Sequence, residues 1–376
     1  MRENTFFLIV LFVAIFAGMV GGIIVTETPE PQVRDLVNNH FNYEIKDYAH
    51  NTTYYRQAYR NFMPSVVHIN VYKEVEGRRV TSQGTGFVYD EEGVIVTNHH
   101  VIEDADRVEV KFFDRIWIEA DIIGEDRYSD LAVLEMDEVP FNIQSLEVSE
   151  TNPEPGMVVV ALGSPLGLEG TITQGIVSGV NRTIRTEGRL IPDAVQTDAS
   201  IDPGNSGGPM IGDDGKVVGV NTAKRGENIG FAVSAALINR IVPRLVEEGL
   251  YRHPYMGINT FDVTPLVAEA NNLEEARGII VVSTDSEGPS EGILRGSRSS
   301  LRTRYRNVPV GGDVILEVEG NRVDSEQDLN SFIVRNKSPG ETIELLVIRD
   351  GRKRTFEVVL GERPAGAGTV NISTRS

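Results

Sequence analysis

The sequence predicts a mostly β molecule: antiparallel barrels or sandwiches, then a smaller mixed α+β unit, with one membrane-spanning helix at the N-terminus. Three observations carry this. From about residue 60 to 234, β-rich runs such as "GTGFVYDEEGVIVTN", "DLAVLEM" and "MVVVALG" are broken by turn signals such as "DEEG" and "GDDG" roughly every eight to twelve residues. Helix signals are almost absent over the same stretch. Phe6 to Val25 is a run of 20 residues without a charge, long enough to cross a bilayer as one helix.

The 376 residues suggest two or three domains, and 40% hydrophobic with 24% charged residues is the composition of a folded chain. Net charge is −19, and only seven of the 36 basic residues are lysine, so the surface is acidic and its cations are mostly arginine. That balance argues against nucleic acid as a partner, because binding phosphate needs a basic face. No cysteine is present, which excludes disulfides, thiolate metal sites and a cysteine nucleophile.

Residues 1–26 read as the anchor rather than a cleaved signal peptide, since "MVGGIIVTETPEP" offers no good small-x-small cleavage site. Arg2 on one flank and Glu27 and Glu30 on the other place the N-terminus inside and everything after residue 26 outside. The expected location is therefore the cell membrane, single-pass, with the bulk of the chain extracytoplasmic. Residues 27–59 are polar, with Pro29 and Pro31, and read as a stalk leading into a short aromatic-rich helix. The β unit spans 60–250 and closes with "SAALINRIVPRLVEEGL", whose apolar residues recur at helical spacing up to Gly249, with a kink expected at Pro243.

A second unit, 255–363, has strand-like "GIIVVS", "DVILEVEG" and "TIELLVIRDGRKRTFEVVL", where Asp350-Gly351 is a two-residue hairpin signal. "SEQDLNSFIVRN" reads as a helix with Ser325 as N-cap. Residues 295–312, "RGSRSSLRTRYRNVPVGG", read as an exposed Arg/Ser-rich loop, longer than a compact domain normally carries. The Gly/Ala/Ser/Thr-rich tail 364–376 is expected to fray.

The stretch "DASIDPGNSGGPMIG" (198–212) sets four glycines and two prolines around Ser206. Such a run is ordinarily a surface turn. Glycines on both sides of a serine also let bare backbone N–H groups converge on one point, as an oxyanion hole requires. That second use needs a histidine to take the serine proton and a carboxylate to orient it. Of six histidines, His40 and His50 fall in the stalk, His68 inside an apolar strand as a packed edge residue, and His253 in the inter-domain linker. "VIVTNHHVIED" remains, with His99 and His100 at a strand end and pointing to opposite sides. For the carboxylate, Asp130 directly precedes the apolar run Leu131–Leu134 and should be partly buried, whereas Asp126 reads as an exposed loop aspartate.

"TNHHVI", "SDLAVL", "LGSPLGLEGTITQGIVSGVNR", "VQTDASIDPGNSGGPM" and "GVNTAKRGENIGFAV" resemble, in order and spacing, the HtrA family of Deg-type trypsin-like serine proteases over residues 60 to about 250. The resemblance implies a double six-stranded antiparallel β-barrel of the chymotrypsin-like kind. It selects His100 over His99 and assigns His100, Asp130 and Ser206 as the catalytic triad, with no metal and no other cofactor. It places the oxyanion hole at Gly204, Asn205 and Ser206, through the N–H groups of Gly204 and Ser206 with Asn205 between. Asn205 stands where digestive trypsins use an aspartate to pair with a freed N-terminus, so activation by N-terminal cleavage is not expected. Ser200, six before the nucleophile, argues against a basic specificity site; Ser200 and Ile229 are expected to line a pocket for small or branched aliphatic side chains.

The C-terminal unit resembles a PDZ domain, with Tyr255, Met256, Gly257 and Ile258 ("YMGI") as the loop that holds a peptide carboxylate. The expected function is an HtrA-type serine endopeptidase that cleaves misfolded or regulatory proteins. It would bind peptide C-termini at the PDZ domain and reach the membrane through its N-terminal helix. Family resemblance further implies a homotrimer, with Tyr54, Tyr55, Tyr59 and Phe62 as candidate contacts. The alternative is a non-catalytic membrane-anchored PDZ scaffold or chaperone with a remnant protease fold, against which the intact set of triad residues and glycines argues.

Overall fold

Each half of the β-rich region closes on itself, which explains why its strands read as dense runs of Val, Ile and Leu: closing a six-stranded sheet leaves no free edge and one continuous interior. The computed structural model describes residues 54–364, apart from 76, 142, 165–169, 187, 188 and 227. The expected N-terminal anchor and the tail beyond 364 lie outside the described residues. Among the described residues, no helix is long and apolar enough to cross a membrane. The chain divides into two units, Met1–Ala58 and Tyr59–Ser376.

Residues 54–62 are helical and lead into a 3-10 turn, Met63–Ser65. Six strands follow: β1 (Val66–Val75), β2 (Arg78–Val88), β3 (Val94–Thr97), β4 (Arg107–Lys111), β5 (Trp117–Asp126) and β6 (Leu131–Met136). They form a closed barrel in the order β1-β2-β3-β6-β5-β4, packed inside by Val67, Ile69, Ile95, Val110 and Leu134. The second closed barrel, in the order β10-β11-β12-β9-β8-β7, uses β7 (Val158–Gly163), β8 (Thr171–Thr186), β9 (Arg189–Thr197), β10 (Pro209–Gly212), β11 (Val217–Lys224) and β12 (Gly230–Ser234). Val159, Val177, Val195 and Met210 belong to its interior.

Between β3 and β4 lies a one-turn helix, α1 (His99–Ile102). This corrects the reading of a strand end with His99 and His100 on opposite faces: the chain coils there, burying His99 and leaving His100 partly exposed. His68 is likewise no edge residue, because β1 pairs with both β2 and β4. The ring is 2% exposed and its Nδ1 lies 2.8 Å from the Ser164 carbonyl oxygen.

Helix α2 (Ala235–Glu248) closes the two-barrel unit. Ser234 caps it by accepting from the Leu237 N–H, Pro243 sits inside it, and Gly249 ends it in the left-handed region at φ 75°. The C-terminal domain is a sheet in the order β14-β15-β18-β20-β21, made of β14 (Ile258–Asp262), β15 (Ile279–Thr284), β18 (Val314–Val318), β20 (Thr342–Arg349) and β21 (Arg352–Val359), with β19 (Asn321–Arg322) beside β18. Its first and last segments, β13 (Pro254–Tyr255) and β22 (Gly361–Glu362), pair with each other. Asp350 and Gly351 form the β20–β21 turn with φ 51° and 73°, both positive as a type I′ turn requires. Helix α3 (Pro265–Ala270) and helix α4 (Glu326–Asn336) complete the domain, α4 beginning in a capping box of Ser325 and Asp328.

The 295–312 segment is not a structureless loop. Residues β16 (Ser299–Arg302) and β17 (Asn307–Val310) pair in register as a separate antiparallel hairpin. Val308 and Pro309 bury its root, where the Asn271 side chain donates to the Pro309 oxygen at 3.0 Å.

Candidate active site

Asp130 sits immediately before β6 with φ 59°, a conformation aspartate tolerates better than most side chains. Its backbone oxygen accepts from the His99 N–H at 3.2 Å and from the Asn98 side-chain amide at 2.9 Å, which fastens the start of β6 to the end of β3. The carboxylate is fully buried, not partly so. Its Oδ2 lies 2.8 Å and its Oδ1 3.0 Å from His100 Nδ1, and Oδ1 also accepts from the His100 backbone N–H at 3.1 Å. The Thr222 hydroxyl, on β11 of the other barrel, donates to Oδ2.

A neutral imidazole that donates from Nδ1 to such a carboxylate keeps its Nε2 lone pair for another proton. The His100 side chain is 23% exposed and opens into a cleft of about 440 Å³, lined also by Gly204, Ser206, Asp202, Thr222 and Lys224. The structure therefore brings His100 and Ser206 to one cleft, with Asp130 behind the imidazole.

The serine loop alternates in how it spends its N–H groups. Asn205 N–H donates to Asp202 O at 3.1 Å and Gly207 N–H to Asn221 O at 2.7 Å. Among the described residues the intervening N–H groups, of Gly204 and Ser206, have no acceptor. Asn205, expected in the same hole, contributes through its side chain: Oδ1 accepts from Asp202 N–H at 3.0 Å and Nδ2 donates to Ser200 O at 2.9 Å. Thr85 holds the loop from the first barrel. Its hydroxyl donates to Gly204 O at 2.6 Å, and its N–H donates to Ser206 O at 3.0 Å. Gly207, at φ 84°, has no room for a Cβ, which would collide with the Thr85 oxygen and the Thr97 hydroxyl.

Ser200 and Ile229 line a neighbouring cavity of about 240 Å³ together with Ala199, Ile201 and Gly230. An Asp202–Lys224 ion pair borders both cavities. Tyr255, Met256, Gly257 and Ile258 lie in the second domain, running from the end of β13 to the start of β14. Gly257 is at φ 69°, and Met256 O accepts from the Ser290 hydroxyl at 2.7 Å. The Tyr255 hydroxyl donates to Asp285; burial and that carboxylate push the phenol up to about 12.

Two readings of the sequence are overturned nearby. Asp126 is no exposed loop aspartate but 7% exposed, accepting from the Ser129 hydroxyl and lying 2.8 Å from Nε2 of His253. His253, in the linker, is buried with it, its ring edge-on to Tyr128 and Tyr251. The sequence reading also missed Thr222 and Thr85, which lie inside the recognisable strings "GVNTAK" and "GTGF" but carry no catalytic signature of their own. Among the described residues no group of three or more histidine or acidic side chains is arranged to hold a metal ion.

Comparison with known proteins identifies both domains. Residues 84–220 match the trypsin-like peptidase domain family and residues 254–360 the PDZ domain family. The chain is 31% identical over 333 residues to "Serine endoprotease DegS" of Escherichia coli K12, covering 83% of this chain and 86% of that protein. It is 34% identical over 296 residues to a "Probable periplasmic serine endoprotease DegP-like" of Halomonas elongata, covering 76% of this chain. It spans 58% of that relative's own length and 53% of a similar protein of Bartonella henselae. Among solved structures, "HtrA-type protease AlgW with tripeptide" superposes with a TM-score of 0.66 at 30% identity, covering 84% of this chain and 99% of that one. With a trypsin-like unit and one PDZ domain in that order, and with these relatives, the chain belongs to the HtrA family of serine proteases.

Proposed function

We propose that the chain is a membrane-anchored, extracytoplasmic serine endopeptidase that cleaves misfolded or regulatory proteins. The observation that carries this reading is the buried Asp130 carboxylate on His100 Nδ1, with the imidazole opening on the cleft that holds Ser206. Ser206 Oγ attacks the scissile carbonyl while His100 Nε2 takes its proton and later delivers it to the leaving amine. Asp130 fixes the tautomer and stabilises the imidazolium. The free N–H groups of Gly204 and Ser206 receive the developing oxyanion, where one donor is worth about 3 kcal/mol. Asn205 between them braces the loop. The small cavity lined by Ser200 and Ile229 receives the side chain at the cleavage site.

In the same reading, Tyr255, Met256, Gly257 and Ile258 capture a peptide C-terminus at the PDZ domain; solved relatives hold a tripeptide or a decapeptide. The uncharged run Phe6–Val25 supports the anchor, and relatives named periplasmic support an extracytoplasmic site. The chain assembles as a homotrimer using Tyr54, Tyr55, Tyr59 and Phe62, which sedimentation of the detergent-solubilised protein would resolve.

Labelling with a fluorophosphonate probe tests the chemistry. The native chain is expected to label and the Ser206→Ala variant to stay unlabelled and inert toward an unfolded protein substrate. Equal labelling of both, or turnover by the alanine variant, would sink the assignment of Ser206. A folded native chain that neither labels nor cleaves would favour the scaffold alternative.

A further inference from the structure

The β16–β17 hairpin is a cationic feature of the C-terminal domain that the protease reading leaves unused. Residues 292–312 hold five arginines and no carboxylate in a chain of net charge −19. At the hairpin root, Arg295 and Arg298 both pair with Asp350, at 3.2 and 3.0 Å. At the tip, Arg302, Arg304 and Arg306 have no carboxylate partner among the described residues, although the chain has 55 acidic side chains to offer.

The tip is built rather than loose. Thr303 N–H donates to Arg306 O at 3.1 Å, and the Thr303 hydroxyl accepts from the N–H groups of Tyr305 and Arg306 at 3.2 and 3.1 Å. The Arg304 guanidinium lies 4.6 Å from the Tyr305 ring centroid, and that of Arg306 lies 4.7 Å from Phe261. Both planes are thus held on aromatic faces. Beside them Tyr305 is 72% exposed and Leu301 49% exposed.

We infer that this hairpin tip docks on an anionic lipid bilayer, its guanidinium groups on headgroup phosphates and Tyr305 and Leu301 at the headgroup–acyl boundary. The inference rests on the proposed anchor, which holds the chain at a membrane and so raises the effective concentration of a weak second contact. A bilayer surface takes both halves of the tip at once, since arginine prefers phosphate and exposed tyrosine and leucine prefer the interfacial layer. An acidic peptide would pair with the guanidinium groups and leave Tyr305 and Leu301 in water. A nucleic acid would need an extended basic face, which a molecule this acidic lacks.

The test uses the full chain. Because it has no cysteine, a Ser300→Cys substitution gives a single attachment point on β16 for an environment-sensitive dye. The labelled chain is reconstituted into vesicles of phosphatidylcholine alone, or of phosphatidylcholine mixed with phosphatidylglycerol. The dye is expected to shift to the blue and lose access to aqueous acrylamide only in the mixed vesicles, with the effect reversed by high salt. The ratio of shifted to unshifted chains should fall about fivefold for each arginine replaced by alanine among Arg302, Arg304 and Arg306. Arg302→Glu should abolish the shift without a folding penalty, its parent side chain having no ion-pair partner among the described residues.

Identical dye signals in both vesicle types would overturn the proposal. So would an equal shift produced by polyglutamate, by DNA or by soluble glycerol phosphate without vesicles. Flotation with neutral vesicles reports the anchor alone. A chain that fails to float there refutes the anchor, while dye-labelled chain recovered only with anionic vesicles still scores the hairpin.

Discussion

Asp130 illustrates how much of the site depends on single polar atoms. Its carboxylate is fully buried and takes donors from His100 and Thr222, and a hydrogen bond to a buried charged group is worth about 1.5–3 kcal/mol. Thr222→Val keeps the shape and removes one donor. It should lower kcat/KM by about tenfold with KM little changed, measured on a small ester substrate; unchanged kinetics would show that Thr222 is only structural. His68 gives a pH prediction. Burial holds its imidazole below the ordinary value of 6.5, the Ser164 carbonyl opposing only in part. The unfolded chain therefore binds the proton more readily than the folded one. Stability from this group is fully present above pH 6.5 and is lost as pH falls below it. Urea midpoints of the native chain should drop between neutral and mildly acidic pH more steeply than those of His68→Gln; parallel curves would remove His68 as the cause.

At the scale of elements, the sheet of the C-terminal domain is pinned by one buried ion pair. Asp313, 1% exposed just before β18, accepts from Arg349 Nε at 2.8 Å and from Arg295 N–H at 2.7 Å, while the Arg349 guanidinium lies 3.9 Å from the Phe356 ring centroid. Removing one partner strands a desolvated charge, so Asp313→Ala should cost the domain about 3–5 kcal/mol. Thermal unfolding of the variant reads this directly, and a shift equivalent to less than about 1 kcal/mol would place the pair among ordinary surface bridges. Strand and helix identities were legible here because local chemistry spells them: Asp350-Gly351 requires a tight hairpin turn and Ser325 with Asp328 a helix start. The hairpin at 299–310 was not, since its pairing opposes Ser-Ser-Leu-Arg to Asn-Val-Pro-Val, a pattern with no alternation to mark it.

At the scale of the molecule, helix α4 of the PDZ domain is bolted to the second barrel and to α2. Arg335 forms an ion pair with Asp193, which is fully buried, and its Nη2 also donates to Asn181 Oδ1 at 2.6 Å. Arg240 on α2 donates to the Lys337 carbonyl and, at 2.8 Å, to the Ser338 hydroxyl, placing a cation at the negative end of α4. The buried Asp126–His253 pair holds the linker between the domains. Arg335→Ala leaves Asp193 without its cation and should cost about 3–5 kcal/mol. In calorimetry the native chain should melt as one coupled transition and the variant as two. A single transition in both would mean that the linker contacts alone couple the domains.

What the sequence by itself determined were the features written in contiguous residues. These are a β-rich region from its turn spacing, the glycine-framed Ser206 and, through the family resemblance of short motifs, the candidate His100 and Asp130 and the order of the protease and PDZ units. Tertiary structure decided what depends on residues far apart in the chain. Thr222 reaches Asp130 across 92 positions, Thr85 reaches Gly204 across 119, and His253 turns Asp126 from an apparent loop aspartate into a buried partner across 127. A hydroxyl or a carboxylate has no fixed role in a linear string, because its role is set by the one partner that the closed barrels bring within hydrogen-bond reach.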